Sequence, residues 1–456
     1  MTPIRGILIG MGALPPEPGW SPLSQTLRWS FRPLAFMAEC RRRYGDAFSV
    51  RFLGFSRPMV LISDPGAIRA LYTESANGLP PGRNLVLEPI VGPRSVLLLE
   101  GAEHLARRRL MLPPFHGERM RAYEATVRTA VDREVDSWPL GEPFPIHARM
   151  QAVTLEVILR AVFGVHEGPR LERLRERLAT VLEETASPRV QLVGLATRRF
   201  SGRGPYARFE RQLREVDEML LAEIAEHRAR PDLAERDDIL AMLMTARFED
   251  GTGMDDRELR DQLMTLLLAG HETTATGLAW TFDLLLSHPA VLARLRDSLA
   301  AGEEEYLRAT ISESLRLRPV IPLAGRRLAV PLRVGDYELP AGTDVTPAIW
   351  LTHTRGDLYP EPFAFRPERW LEGKPDSYAW IPFGGGVRRC LGATFAEFEM
   401  RIVLRQVLGR CDLRKASPAP EQTGRRNITL SPKDGTPVVL ESRAPAGVAD
   451  PQPSPA

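Results

Sequence analysis

The chain has 456 residues, 43% of them hydrophobic and 26% charged, with a formal net charge of +2. That balance suits a globular protein able to bury a ligand pocket as well as a core, and it gives no reason to expect nucleic acid or an anionic membrane as partner. Three cysteines, Cys40, Cys390 and Cys411, form neither a closely spaced disulfide framework nor a Cys-x-x-Cys pair, which points to a reducing compartment, hence to the cytoplasm.

At the N-terminus, the mildly apolar residues 4–14 fall well short of the roughly 20 that a membrane-crossing helix needs. Prolines at 15, 16 and 18 predict an extended opening, followed by a helix over 34–44 and two short strands at 47–52 and 58–62. Residues 79–100 carry several prolines and glycines without helical periodicity, and so predict a long functional loop. From 103 to about 313 the pattern is helical, with apolar residues at three-to-four spacing through 122–135, 150–162, 171–182 and 209–225. Short strands return at 328–345, punctuated by Gly335 and Gly342, and the Pro- and Ala-rich residues 444–456 predict a disordered tail. Without a repeat or a Gly/Ser linker, the reading is one mainly α domain with a small β portion, over residues 1–443.

The most informative segment is Phe383-Gly-Gly-Gly-Val-Arg-Arg-Cys-Leu-Gly392. Glycines allow tight backbone turns and close approach to a flat ligand, and Arg388 can neutralise an acidic group on it. Cys390 lies just before a helical pattern in which Leu391, Phe395, Phe398 and Ile402 share a face, where free amides and the helix dipole favour a thiolate. A lone buried cysteine would be ordinary, but these neighbours are not. The segment resembles the F-x-x-G-x-R-x-C-x-G pattern of the cytochrome P-450 superfamily. That resemblance implies a haem-centred cytochrome P-450 fold, with Cys390 as thiolate ligand to the iron of heme b and Phe383, Gly384, Arg388 and Gly392 at the cofactor.

Residues 257–287 form an apolar run broken by Ala269-Gly-His-Glu-Thr-Thr274. A helix there would run about 45 Å, and its internal polar groups need a reason, because an unpaired buried carboxylate is costly. Gly270 and back-bonding threonines could open the helix locally and admit water. Zinc chemistry of the H-E-x-x-H kind is excluded, since Ala275 stands where the second histidine would be. The family places A-G-x-D/E-T-T on its distal helix, which implies Glu272 and Thr273 as the acid and alcohol that deliver protons.

The spacing E-x-x-R occurs at Glu118/Arg121, Glu172/Arg175, Glu305/Arg308 and Glu313/Arg316. An exposed helical pair is the ordinary meaning. By resemblance, Glu313 and Arg316 join Arg369 of Pro367-Glu-Arg-Trp370 in a structural triad. His104 and Arg108, one helical turn apart, match the family's H-x-x-x-R and are expected at a propionate with Arg326, Arg327 being the alternative register.

The resemblance further implies a monooxygenase that takes dioxygen and a mostly apolar small molecule. No electron-transfer domain is visible in the chain, so a separate ferredoxin and its reductase are expected. Arg107, Arg109, Arg389 and Arg401 are candidates to dock such an acidic partner. Substrate contacts are expected from residues 79–100, from Thr265 and Ala269, and from 321–324, including Leu323. Residues 190–206, with Arg198, Arg199 and Arg203, are read as a lid. A peroxide-using enzyme or a non-catalytic haem protein would not need the Glu272–Thr273 pair.

Overall fold

A helix of 32 residues, Asp256–Ser287, runs through the molecule and organises it. It starts where the Asp255 carboxylate accepts from the Glu258 amide at 2.8 Å, with Asp256 and Glu258 placing negative charge at the positive end of the dipole. It stops at His288, the residue before Pro289, where helical backbone is disfavoured. Leu259 to Leu267 and Thr274 to Leu285 are buried on all faces, as befits a helix at the centre of a domain rather than on its surface. The computed structural model describes residues 14–55, 57–73, 87–115, 117, 119–164, 168–186, 205–373, 375–426 and 428–446.

Other helices pack around this axis. Ile146–Phe163 lies along it and Gly101–Met111, Arg119–Asp136, Pro169–Ala186, Pro205–Arg228, Glu305–Leu317 and Ala393–Arg410 complete most of the α layer. Gly270 has a physical role in that packing: a Cβ there would meet Ile158 at 3.2 Å. Thr154 Oγ1 also donates to the His271 carbonyl at 2.9 Å. The central helix is continuous through Gly270 and Thr273, so the local opening expected from the sequence does not occur; close helix packing explains the glycine instead.

The strands are few and short. β1 (Ala47–Val50) and β2 (Met59–Ile62) form an antiparallel hairpin, β2 runs parallel to β7 (Asp344–Pro347), and β7 takes β4 (Arg326–Arg327) on its other edge. β3 (Pro143–Pro145), β11 (Pro437–Arg443) and β8 (Cys411–Lys415) make a second sheet. β5 (Leu332–Val334) pairs with β6 (Tyr337–Leu339), and β9 (Thr423–Arg426) with β10 (Thr429–Pro432). Trp280 Nε1 donates to the Leu430 carbonyl at 2.8 Å, fastening β10 to the central helix.

The expected helix at 34–44 appears as Pro33–Tyr44, and the expected early strands are β1 and β2. The C-terminal strands after 410 are additions to that reading. In residues 87–100 the chain makes a short helix, Glu88–Val91, and is pinned to the central helix: Arg94 N donates to Asp261 at 3.0 Å and Gln262 Nε2 to the Arg94 carbonyl at 2.6 Å. The remainder of that loop, most of the expected lid with its three arginines, the opening apolar stretch and residues 447–456 lie outside the described residues. Among the described residues no helix is long and apolar enough to cross a membrane.

Candidate active site

The cysteine segment folds as a tight loop closed by the Cys390 amide donating to the Phe383 carbonyl at 2.9 Å. Gly384 and Gly386 have φ of 68° and 61°, in the left-handed region, and a Cβ on Gly386 would lie 2.8 Å from the Tyr72 carbonyl oxygen. The close approach that needs glycine is therefore to Tyr72. Gly392 has nothing within 4 Å of where a Cβ would sit.

Cys390 is the one exposed cysteine; Cys40 and Cys411 are buried, with thiols pushed up to about 12 and about 11, chiefly by that burial. The Cys390 side chain is accessible although protein surrounds the loop, and burial pushes its thiol up as well. The Gly392 amide, Arg108 and Arg389 pull the other way without prevailing. The helix begins only at Ala393, beyond Gly392. The lowering expected from the helix end is thus outweighed by burial.

Four basic side chains gather beside this loop. His104 and Arg108 share the helix Gly101–Met111, Arg326 comes from β4 and Arg388 from the loop itself. They act on one another: His104 is held down to about 4 by burial and by Arg388, Arg108 and Arg326, and so is neutral. Arg388 is drawn down to about 10 by burial, with Arg326 and Arg108 adding to it. Among the described residues none of these arginines has a carboxylate in ion-pair contact. Arg388 donates to the Val96 and Leu99 carbonyls, and Arg326 donates to the Gly325 carbonyl at 2.8 Å and lies over the Tyr72 ring. Arg327 instead grips Asp344 with two bonds of 2.7 and 2.8 Å, so Arg326 is the inward member of the two.

In the middle of the central helix, Leu268, Ala269, Gly270, Glu272 and Thr273 are less covered than the residues on either side, Ala269 most of all. Thr273 Oγ1 donates to the Ala269 carbonyl at 2.5 Å, which leaves its oxygen free to accept a further hydrogen bond. Glu272 receives Gln151 Nε2 at 2.6 Å and Arg426 Nε at 3.2 Å. Burial pushes its carboxyl up against the opposing pull of Arg426 and Gln151. Leu323, half-buried, makes a β-bridge to Ala348. Thr265 is buried, its hydroxyl engaged with Ser95 Oγ at 2.6 Å and the Asp261 carbonyl at 2.7 Å, so this expected substrate contact belongs to the seam between loop and helix.

The three-charge group forms. Glu313 and Arg316 are 0% exposed and joined by bonds of 2.7 and 2.8 Å, while Arg369 Nε reaches Glu313 Oε1 at 2.9 Å. Trp370 Nε1 and the Arg366 amide complete the shell at 3.0 and 3.1 Å. By contrast, Glu172–Arg175 is an exposed pair and Arg308 pairs with Glu304; Glu118 lies outside the described residues.

One residue that the sequence reading missed connects this group to the cysteine loop. His353, wholly buried, has Nδ1 3.2 Å from the Arg316 carbonyl and accepts the Ile381 amide at Nε2 at 2.9 Å. Burial and Arg316 hold it down to about 3, which matches a neutral ring donating at Nδ1. His353→Ala should lower the melting temperature and speed cofactor loss, because it opens a cavity and strands two buried polar groups at a cost of about 2–4 kcal/mol. Thermal unfolding followed at the cofactor absorbance tests this; unchanged melting and retention would overturn it. The linkage has a definite sign: a histidine held below its unfolded value stabilises above roughly pH 6.5, and that contribution fades as the pH falls towards the folded value.

Of the four arginines expected to dock a partner, three are already engaged. Arg107 Nε meets Glu258 at 2.8 Å, Arg109 meets Glu249 at 2.6 Å and Arg401 meets Glu304 at 2.7 Å. Arg389 is exposed and makes no ion pair among the described residues.

A loop-borne accessible sulfur, three guanidinium groups without a carboxylate partner among the described residues and an acid-bearing helix through the centre define a haem-thiolate class of protein. The family model described as Cytochrome P450 matches residues 15–437, and the chain belongs to that family. It is 41% identical over 429 residues to cytochrome P450 135B1 of Mycobacterium tuberculosis, covering 92% of this chain and 90% of that protein. It is also 37% identical over 424 residues to cytochrome P450 138 of the same organism, covering 91% and 94%. Among solved structures, the retinoic acid-bound cyanobacterial CYP120A1 superposes with a TM-score of 0.83 at 24% identity, covering 95% of this chain and all 100% of that one. The heme domain of cytochrome P450DA follows with 0.79 at 22%, covering 96% and 99%. These two share the fold.

The chain is accordingly a cytochrome P450 monooxygenase, an enzyme of dioxygen and an organic substrate whose family cofactor is a thiolate-held haem. Its residues fit that group. Desolvated guanidinium groups with no carboxylate partner among the described residues would complement a pair of propionates, and the accessible Cys390 sulfur would supply the donor.

Proposed function

We propose that this enzyme inserts oxygen into a mostly apolar small molecule, with Cys390 as the haem ligand and a separate ferredoxin and reductase as electron source. The observation that carries the reading is the accessible Cys390 sulfur on a loop beside Arg108, Arg326 and Arg388, which have no counter-ion among the described residues. In this reading His104, Arg108, Arg326 and Arg388 hold the propionates, and Phe383, Gly384 and Gly392 shape the loop around the sulfur. Bound haem supplies dioxygen binding and activation. Glu272 holds a proton and Thr273 relays it, while Ala269 and Leu323 shape the substrate space. Arg389, exposed, adjacent to Cys390 and without an ion pair among the described residues, is the strongest candidate to meet an acidic ferredoxin. The reducing interior implied by three unpaired cysteines fits a cytoplasmic enzyme.

The test is the spectrum of the reduced protein under carbon monoxide, parent against Cys390→Ala. The parent should show the red-shifted Soret band of a thiolate-bound haem, and the variant, folded by circular dichroism, should lack it. A parent band without that shift, or a variant that keeps it, would mean that another group holds the iron.

A further inference from the structure

Glu272 is tied to the protein surface through a single guanidinium. Arg426, at the end of β9, donates from Nε to Glu272 Oε1 at 3.2 Å. Its other two nitrogens go to Glu183, with Nη2 2.5 Å from Oε2 and Nη1 3.4 Å from Oε1. Glu183 lies near the end of the helix Pro169–Ala186 with its side chain 65% exposed, whereas the Glu272 side chain is 16% exposed. Three elements remote in sequence thus meet at one cation shared by an outer and an inner carboxylate.

We propose that Arg426 is a positioning residue that sets how firmly Glu272 holds its proton, and that Glu183 tunes this by taking up two of the three guanidinium nitrogens. The inference rests on the reading of Glu272 as proton source. It goes beyond that reading by assigning control of the proton to residues outside the central helix.

The surroundings isolate this effect. From the helix Ile146–Phe163, Glu272 is faced by Gln151 at 2.6 Å and His147 at 3.9 Å. From its own helix come Thr276 at 3.5 Å and the neighbouring His271. His147 is held down to about 3 and His271 to about 4, in both cases first by burial and then by Arg426, so both rings are neutral. Arg426 is therefore the one cation acting on Glu272 among the described residues. A carboxyl in a desolvated place is sensitive to the single opposite charge beside it, by about one pKa unit or more. An outer carboxylate that draws the guanidinium towards itself weakens that pull, and the Glu183 charge also raises Glu272 directly. Since Glu183 is exposed, salt should diminish its share.

The experiment is an infrared titration of the protonated carboxyl stretch in the purified holoenzyme, with the band assigned by its loss in Glu272→Gln. Arg426→Gln should move the midpoint up by about one unit and Glu183→Gln should move it down. In Arg426→Gln/Glu183→Gln the downward effect should largely vanish, because Glu183 acts mainly through Arg426. If Arg426→Gln does not fold, Arg426→Lys, which keeps the charge but loses the planar fork, should give a smaller upward shift, and surface Glu183→Gln provides the opposite arm. Shifts of the same sign in both single variants, or no shift in Glu183→Gln, would overturn the inference. Opposed midpoints with an unaltered pH profile of turnover would instead uphold it and remove Glu272 as proton source.

Discussion

Arg316→Ala should yield little or no haem-retaining protein. The Arg316 side chain is completely buried and donates five hydrogen bonds: two to Glu313, and one each to the carbonyls of His353 at 2.8 Å, Pro362 at 2.7 Å and Ala364 at 3.1 Å. Truncation takes that donor from the three buried carbonyls and leaves Glu313 with Arg369 as its remaining cation beside Trp370 and the Arg366 amide, a loss of about 3–5 kcal/mol for breaking a buried pair. Against a total stability of about 5–15 kcal/mol this is a large fraction. Lysine should rescue poorly, because an ammonium cannot present five donors in a planar fork. Burial raises the Glu313 carboxyl, but the bonds and charge of Arg316, with the Arg366 amide and Arg369, outweigh it and hold the group below the ordinary range. Its stabilisation is present above the unfolded pKa and lost as the pH falls through the folded value. Haem content and thermal unfolding of Arg316→Ala and Arg316→Lys check this. An alanine variant with parental melting and full cofactor would contradict it.

The second large effect concerns coupling of electron use to product. Thr273→Ala and Glu272→Gln should each lower product formation by about 10²-fold, the contribution of a positioned proton-transfer group, while consumption of reducing equivalents falls far less. Thr273 spends its hydrogen on the Ala269 carbonyl and keeps its oxygen to accept, whereas burial pushes the Glu272 carboxyl up, so that it holds a proton more firmly than a surface carboxylate does. Glutamine preserves the shape and the Gln151 contact but has no acidic proton. Product formed per electron pair, measured with a surrogate ferredoxin system, decides the matter. Parental coupling in both variants would place proton delivery elsewhere.

Residue chemistry made the cysteine loop legible, because glycines, an arginine and a cysteine within ten positions leave few other uses. The helical middle was legible from periodicity, and the central helix fell within one residue of its expected start. What escaped depends on contacts between distant segments. Nothing local separates Glu313/Arg316 from Glu172/Arg175; only the resemblance, and then burial, sets them apart. His353 matters because folding brings residues 316 and 381 to its two nitrogens. Arg426 lies 154 positions from Glu272 and 243 from Glu183, beyond the reach of any spacing argument. After residue 410, β9 and β10 are four residues each and pair with one another, while β11 pairs with β8 and with the distant β3, and no alternating pattern announced them. Gly270 carried a real signal, with helix packing as its cause rather than a break in the helix.

The two-residue strand β4 has a consequence for synthesis on the ribosome. Arg326 reaches its inward place by pairing with β7, which itself pairs with β2, and Arg388 closes onto Leu99 across 289 positions of chain. The N-terminal portion of the pocket must therefore emerge and wait while nearly all of the rest is translated. Domain-scale contacts of such separation form late and slowly. With the site as proposed, cofactor capture is confined to the nearly finished polypeptide, and a chain truncated before the cysteine loop would carry His104, Arg108 and Arg326 but neither Arg388 nor Cys390.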